Sequence, residues 1–333
     1  MTTAPRFLAI TGPTTSGKTA LSLALAQRGP VEIVSMDSRQ VYRGMDIGTD
    51  KVGPEPRALV PHHGLDLVRP DERYSAGQFA RDARRWIDDI GGRGALPLLA
   101  GGTGFFLRAV VTPIFEEPPV DEGRLDRLRA WLGAQPRERL AAFVLALDPE
   151  RAELSMEGGP QRMSRTIEVA LLSGVPLSRL HREARADGPP VPGVIVLLEL
   201  TRDEIDRRIE VRLRRMVDRG LVDEVRGLVD QGYRESDPGM SGTGYREMLG
   251  HLRGEKTLDE AMEEIRHNTR RYARRQLTWF RHQLPGGVRR IDATLPLEEQ
   301  VSAAMSAVRS FGLAWPANAK SGSGVGPSPT ERG

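Results

Sequence analysis

The chain has 333 residues, 28% charged and 39% apolar, with a formal net charge of +3, the make-up of a globular chain with a sizeable core. It holds no cysteine, which excludes disulfides, thiolate metal sites, iron–sulfur clusters and a cysteine nucleophile. No apolar run approaches the roughly 20 residues of a membrane span and no basic start precedes an apolar signal core, so a cytoplasmic chain without membrane attachment is expected.

In chain order, "RFLAI" reads as a buried strand, followed by a glycine-containing loop and by "KTALSLALAQRG", a helix ended by Gly29. "VEIVSMDS" is a second strand whose end places Asp37 and Ser38 in a loop. "YSAGQFARDARRWIDDIGG" opens with Ser75 and Gln78 at capping-box spacing and predicts a helix. "ALPLLAGGTG" is a third strand running into a glycine turn, "FFLRAVV" starts another helix, and "VPGVIVLLEL" (191–200) is a fourth strand. Alternating strands and helices imply an α/β fold, a parallel sheet flanked by helices.

Between about 117 and 190 that alternation stops. "RLDRLRAWLGA", "RERLAAFVLAL" and "SRTIEVALLSG" are helical patterns without an intervening strand, predicting an inserted all-helical subdomain. Residues 1–116 and 191–315 then form the core with its C-terminal helices. After the fourth strand, "RDEIDRRIEVRLRRMVDRG" is amphipathic, with Ile205, Ile209, Leu213 and Val217 on one side and Arg208, Arg212, Arg215 and Arg219 striping another. "SGTGYREMLGHLRGE" and "TLDEAMEEIRHNTRRYARRQLTWFRHQ" continue helically, and "GVRRIDA" returns as a last strand. The Gly/Ser/Pro-rich tail, 316–333, is expected to be disordered.

The loop itself, "GPTTSGKT", fits G-x-x-x-x-G-K-[ST] between a strand and a helix. Gly12 and Gly17 let successive N–H groups turn inward, Lys18 adds a point charge, Thr19 offers a hydroxyl to Mg²⁺, and the helix N-terminus favours an anion. Cations also cluster: 265–283 holds no acidic residue and 161–185 only two, a pattern suited to an extended polyanion; solvated arginine-rich helix faces are the alternative. A nucleotide-dependent kinase is the default owner of such a loop. Against it, the third strand ends "LPLLAGG" rather than in an Asp for the metal.

"GPTTSGKT", "DSRQVYRGMDIGT", "PHHGLDL", "YSAGQFARDA", "GGTGFF", "QRMSR", "GTGYREM" and "RRYARRQLTWFR" occur in the order seen in tRNA dimethylallyltransferases, and over residues 8–283 the chain resembles that family. The resemblance implies a P-loop nucleoside-triphosphatase-like fold and transfer of a dimethylallyl group from its diphosphate to N6 of the adenosine 3′ of a tRNA anticodon. Diphosphate would lie on Gly12, Pro13, Thr14, Thr15, Ser16, Gly17, Lys18 and Thr19, with Mg²⁺ at Thr19 and a further contact from Arg212, or alternatively Arg208. Asp37 resembles the family's general base, and Thr103 the residue that orients the adenosine, with Lys18 completing the catalytic set. The plain alternatives are a turn cap for Asp37 and a helix cap for Thr103.

Ser38, Arg39 and Gln40 resemble RNA contacts, as do Gln161, Arg162, Met163, Ser164 and Arg165 of "QRMSR" and either Arg124 or Arg127. A flipped-out adenosine needs a channel, which Tyr42, Phe105 and Phe106 could line, core packing being as good a reading for the two Phe. The helix 266–281 would be partly core, through Ile265, Tyr272, Leu277 and Phe280, and partly phosphate-facing. Gly64 and Thr243 depart from the family's commoner pattern, and His62 and His63 read as structural. The partners implied are the tRNA anticodon stem-loop and dimethylallyl diphosphate, with a monomer expected. Competing readings are a small-molecule kinase, an enzyme prenylating free AMP or ATP, and a non-catalytic RNA-binding protein.

Overall fold

Five consecutive buried residues, Phe7–Thr11, form β1. Hydrophobic on both faces, such a run is stable only inside a sheet covered on both sides. The computed structural model describes residues 4–112, 121–183, 190–284 and 286–316. The other strands are β2 (Val31–Ser35), β3 (His62–His63), β4 (Leu96–Gly101), β5 (Gly193–Glu199) and β6 (Arg289–Asp292). Among the described residues all six pair in parallel in the order β3-β2-β4-β1-β5-β6. The two-residue β3 is too short to leave a periodicity in the sequence. There His63 bonds Glu32 at 2.7 Å and Glu32 pairs with Arg93, the structural role expected of the histidines. Gly64, at φ +78, lies against β2, where a Cβ would stand 2.6 Å from the Ser35 carbonyl oxygen.

The described residues divide into two compact units, one built from the chain up to Thr112 and from Pro190 onward, the other from the stretch between. The expected break after residue 116 and all but the first residue of the tail lie outside the described residues. In the first unit, Leu8, Ile10, Ile33, Leu98 and Val196 of the sheet pack with Leu21 and Leu25 of the Lys18–Ala26 helix, Ile205 and Ile209 of the Arg202–Asp218 helix, and Val301 and Val308 of the Leu297–Ser310 helix. Each such side chain contributes about 1.5–3 kcal/mol by leaving water. A second cluster gathers Tyr42, Met45, Leu213, Met216, Leu221, Tyr245, Met248 and Ile265.

Capping places the helix starts. Ser75 and Gln78 form the expected capping box, Thr257 and Glu260 form another, and Thr201 accepts from the Glu204 N–H. The first helix stops at Ala26, short of Gly29, with Gln27 as its C-cap. On the Arg202–Asp218 helix Met216, not Val217, takes the fourth fully buried position, because a 3.6-residue period drifts back after two steps of four. Tyr42 and Phe106 are core residues rather than channel linings: Tyr42 lies in the second cluster, and Phe106 stacks on Phe79 at 4.3 Å. Phe105 is 51% exposed.

The second unit is helical in its described residues: Glu122–Gly133, Arg137–Leu147, Ala152–Glu157, Gly159–Ser173 and Leu177–Glu183. Its core holds Leu132, Leu140, Val144, Ala152, Met163 and Ile167. Met163 is 0% exposed, so its expected role as an RNA contact is corrected. It packs into the core of its unit, while Gln161 and Arg162 are exposed.

One backbone approach fixes the sheet's working end. A Cβ on Gly101 would lie 1.9 Å from the Met36 carbonyl oxygen, whereas one on helical Gly91 meets nothing within 4 Å. Gly101→Ala is therefore expected to destabilise the protein by about 2–4 kcal/mol, and Gly91→Ala to stabilise it by up to about 1 kcal/mol, in urea denaturation.

Candidate active site

Three loops leave the C-terminal ends of adjacent strands β2, β4 and β1, where open α/β sheets build their sites. The β1 exit is the phosphate loop. Gly12 has φ +156, with its Cα against Leu198 so that a Cβ would meet the Leu198 carbonyl oxygen at 2.7 Å. Thr15 is left-handed at φ 65, and Gly17 caps the following helix at φ 86. Lys18 folds back so that Nζ donates to the Gly12 and Pro13 carbonyls at 3.1 and 2.7 Å. Burial of the ammonium pushes its pKa down to about 8, against the opposing pull of Asp37. The Thr15 hydroxyl is buried and has no hydrogen-bond partner among the described residues.

The β2 exit carries Asp37. Its Oδ1 accepts the Arg39 N–H at 2.8 Å, so the turn-cap geometry is present beside whatever else the carboxylate does. The β4 exit carries Thr103. Its hydroxyl accepts the Ser38 N–H at 3.0 Å and lies 3.4 Å from the Ser38 hydroxyl, while its own helix receives no side-chain cap from it. Thr103 thus faces the Asp37 loop, and the helix-cap alternative is not what the structure contains. The Met36 N–H donates to Ala100 O at 2.8 Å and the Thr103 N–H to Met36 O at 3.3 Å, holding the two exits together.

Helix Arg202–Asp218 brings both candidate arginines to the loop, with different partners. Arg208 is committed: it pairs with Glu204 at 2.6 Å and donates to Thr15 O at 3.3 Å and Ala293 O at 3.0 Å. Arg212 reaches the Thr14 hydroxyl and stands 3.2 Å from Asp50. Asp50, itself left-handed at φ 54, also holds Arg215 at 3.1 Å and Arg219 at 3.7 Å. Three of the four arginines of the stripe therefore converge on one carboxylate.

Other expected RNA contacts are partly used within the chain. The Gln40 amide accepts from the Ser35 hydroxyl at 2.8 Å and donates to Thr49 O at 3.2 Å, which makes it a brace for its own loop. Arg39 donates to Pro238 O at 2.9 Å. In the helical unit, Arg124 and Arg127 are both exposed, Ser164 is half-buried, and Arg165 lies 3.7 Å from Glu168. On the Leu258–Gln283 helix, Arg266 and Arg270 pair with Glu210 and Asp206. Arg271, Arg274, Arg275 and Arg281 are exposed and make no ion pair among the described residues.

Sequence reasoning missed Tyr272 and Gln276. Tyr272 was expected in the core, yet it is 36% exposed and its hydroxyl end is turned toward Asp37 and Thr103; Ala273 and Gln276 take the buried positions instead. A glutamine on an otherwise apolar stripe was the available signal. Among the described residues no group of three or more His, Asp or Glu could hold a metal ion. A divalent cation here would rest on the Thr19 hydroxyl, exposed at the first helical turn, with ligand oxygens and water completing its shell, a donor set that suits Mg²⁺.

Sheet and site define a phosphate-loop α/β protein in which a glycine-bearing loop with a buried lysine lies beside a carboxylate and a hydroxyl. Residues 40–283 match the family "IPP transferase", and residues 5–56 match "Isopentenyl transferase". Among curated relatives, tRNA dimethylallyltransferase 2 of Geotalea uraniireducens is 41% identical over 83% of this chain and 89% of its own. The tRNA dimethylallyltransferase of Halorhodospira halophila is 42% identical over 90% and 96%. Of solved structures, the tRNA isopentenylpyrophosphate transferase of Bacillus halodurans is 34% identical, with a TM-score of 0.66 over 92% of this chain and 96% of that one. A eukaryotic dimethylallyltransferase, described as acting on tRNA, is 25% identical with a TM-score of 0.75 over 92% and 78%. The chain belongs to the IPP transferase family.

The Tyr272 hydroxyl is pushed up to about 12, first by burial and then by the Asp37 charge. A tyrosine held above its ordinary value of about 10 contributes stability that is complete below that pH and is lost as pH rises through the folded-state value. Tyr272→Phe is expected to flatten the decline of stability between about pH 10 and 12, measured by urea unfolding at stepped pH. An unchanged slope would show that neither burial nor the Asp37 charge raises the Tyr272 hydroxyl.

Proposed function

We infer that this chain transfers a dimethylallyl group from dimethylallyl diphosphate to N6 of the adenosine 3′ of the anticodon in tRNA, releasing diphosphate. The observation that carries this reading is the meeting of the phosphate loop, Asp37 and Thr103 at neighbouring strand exits, in a chain about 40% identical to enzymes named for such a transfer. In this reading the diphosphate is a leaving group. The allylic C–O bond breaks as the N6–carbon bond forms, and negative charge grows on the departing oxygen.

Donors aimed at that oxygen stabilise the transition state more than the ground state. Lys18 and Arg212 supply the cations, and the loop's backbone N–H groups and the helix N-terminus supply the rest. Lys18 then exchanges the Gly12 and Pro13 carbonyls for phosphate oxygens, and the anion raises its lowered pKa, holding the ammonium charged. Mg²⁺ at Thr19 would neutralise part of the diphosphate charge. Adenine N6 becomes acidic as it alkylates, and the Asp37 carboxylate takes that proton. Thr103 orients the adenosine, and Ser38, Arg39, Gln161, Arg162 and Arg165 hold RNA. A cytoplasmic monomer fits a protein that grips one RNA hairpin.

Incubation with unmodified tRNA and either labelled dimethylallyl diphosphate or labelled ATP is expected to label RNA from the first donor alone; label from ATP, or none, would overturn the assignment. Asp37→Ala is expected to lower the transfer rate by about 10²–10⁴ while RNA affinity stays within about threefold. Calorimetry with inorganic pyrophosphate should separate the arginines: Arg212→Ala weakens binding about thirtyfold, the equivalent of about 2 kcal/mol for a charge-assisted bond. Arg208→Ala, in the fraction that folds, should change it only about twofold.

A further inference from the structure

Gln276 is the one uncharged polar side chain among the buried residues of the Leu258–Gln283 helix. It is 7% exposed. Its Oε1 accepts the Thr14 N–H at 2.8 Å, and its Nε2 donates to the Gly102 carbonyl at 2.8 Å. The two partners belong to different strand exits: Thr14 is in the phosphate loop after β1, and Gly102 begins the turn after β4 that ends in Thr103. A primary amide can accept at one atom and donate at the other across about 2 Å; a carboxylate only accepts and a lysine or arginine only donates. The fit is close on the turn side. A Cβ on Gly102 would stand 2.5 Å from Gln276 Nε2 and 3.3 Å from Gly12 O, and one turn along the helix Trp279 lies so near Gly104 that a Cβ there would be 2.2 Å from its ring.

The Thr14 N–H is thereby committed to a side chain before any anion arrives, and the loop is tied to the turn that carries Thr103. We propose that Gln276 is a positioning residue that sets the spacing between the anion cradle and Thr103. Departure of the leaving group and approach of the nucleophile then occur at one fixed separation. This rests on reading the loop as the diphosphate cradle and Thr103 as the residue that orients the adenosine. A helix at the far end of the chain thus supplies the spacer between two loops of its first third.

Two variants test it. Gln276→Met keeps the length and loses both bonds, whereas Gln276→Glu keeps the acceptor for Thr14 but cannot donate to Gly102. The readouts are amide hydrogen exchange in the segments 12–17 and 101–104, the single-turnover transfer rate onto tRNA, and the affinity for inorganic pyrophosphate. In Gln276→Met, exchange should rise about tenfold in both segments. Transfer should slow about a hundredfold, while pyrophosphate affinity moves less than about threefold. In Gln276→Glu the phosphate loop should stay protected and only the 101–104 segment should loosen. Unchanged exchange in Gln276→Met overturns the proposal, as does a transfer loss matched by an equal loss of pyrophosphate affinity. A wild-type chain that labels no RNA would instead overturn the functional reading, and exchange would still judge the spacer by itself.

Discussion

The close approach of two strand exits governs this molecule. Gly101 leaves no room for a side chain against the Met36 carbonyl, and the backbone bonds from Met36 to Ala100 and from Thr103 to Met36 close the gap. Asp37 and Thr103 are thereby forced onto one wall. Because β4 lies between β2 and β1, the phosphate loop opens beside that wall. The strands are parallel, so all three exits and the N-terminus of the first helix share one side, where the helix dipole favours an anion.

The cations around the loop are held by partners within the chain, with positive charge in excess. Lys18 is held by two carbonyls of its own loop, and Arg212, Arg215 and Arg219 share Asp50. The cations are therefore held in place, the preorganisation that the proposed diphosphate site would need to bind at a low ordering cost.

Much of the stretch from Tyr42 to Lys51, which overlaps "DSRQVYRGMDIGT", is scaffold. Lys51 is buried and donates to Tyr42 O, Asp46 and Asp66. Glu224 accepts three successive N–H groups, of Asp46, Ile47 and Gly48, and the Tyr245 hydroxyl as well. These bonds satisfy a non-repetitive backbone that sheet or helix would otherwise have to satisfy, and they hold the segment carrying Asp50. Thr243, where the chain departs from the commoner pattern, is exposed, so the departure leaves this scaffold untouched.

Local chemistry wrote several features directly into the sequence. Apolar runs of five to seven residues gave β1, β2, β4 and β5, capping residues gave the helix starts, and glycine spacing gave the phosphate loop, because each depends on neighbours within one turn or strand. Asp37 and Thr103 were legible as strand-exit residues, and their family resemblance supplied their roles. Tertiary structure alone decided that Arg212 rather than Arg208 is the arginine at the Thr14 hydroxyl, that Met163 and Tyr42 turn into cores, and that Gln276 joins two loops. The arginine and glutamine outcomes depend on which helix face meets which strand exit across more than a hundred residues of chain. Met163 packs against other helices of its own unit, and a 3.6-residue period specifies a stripe without specifying its partner.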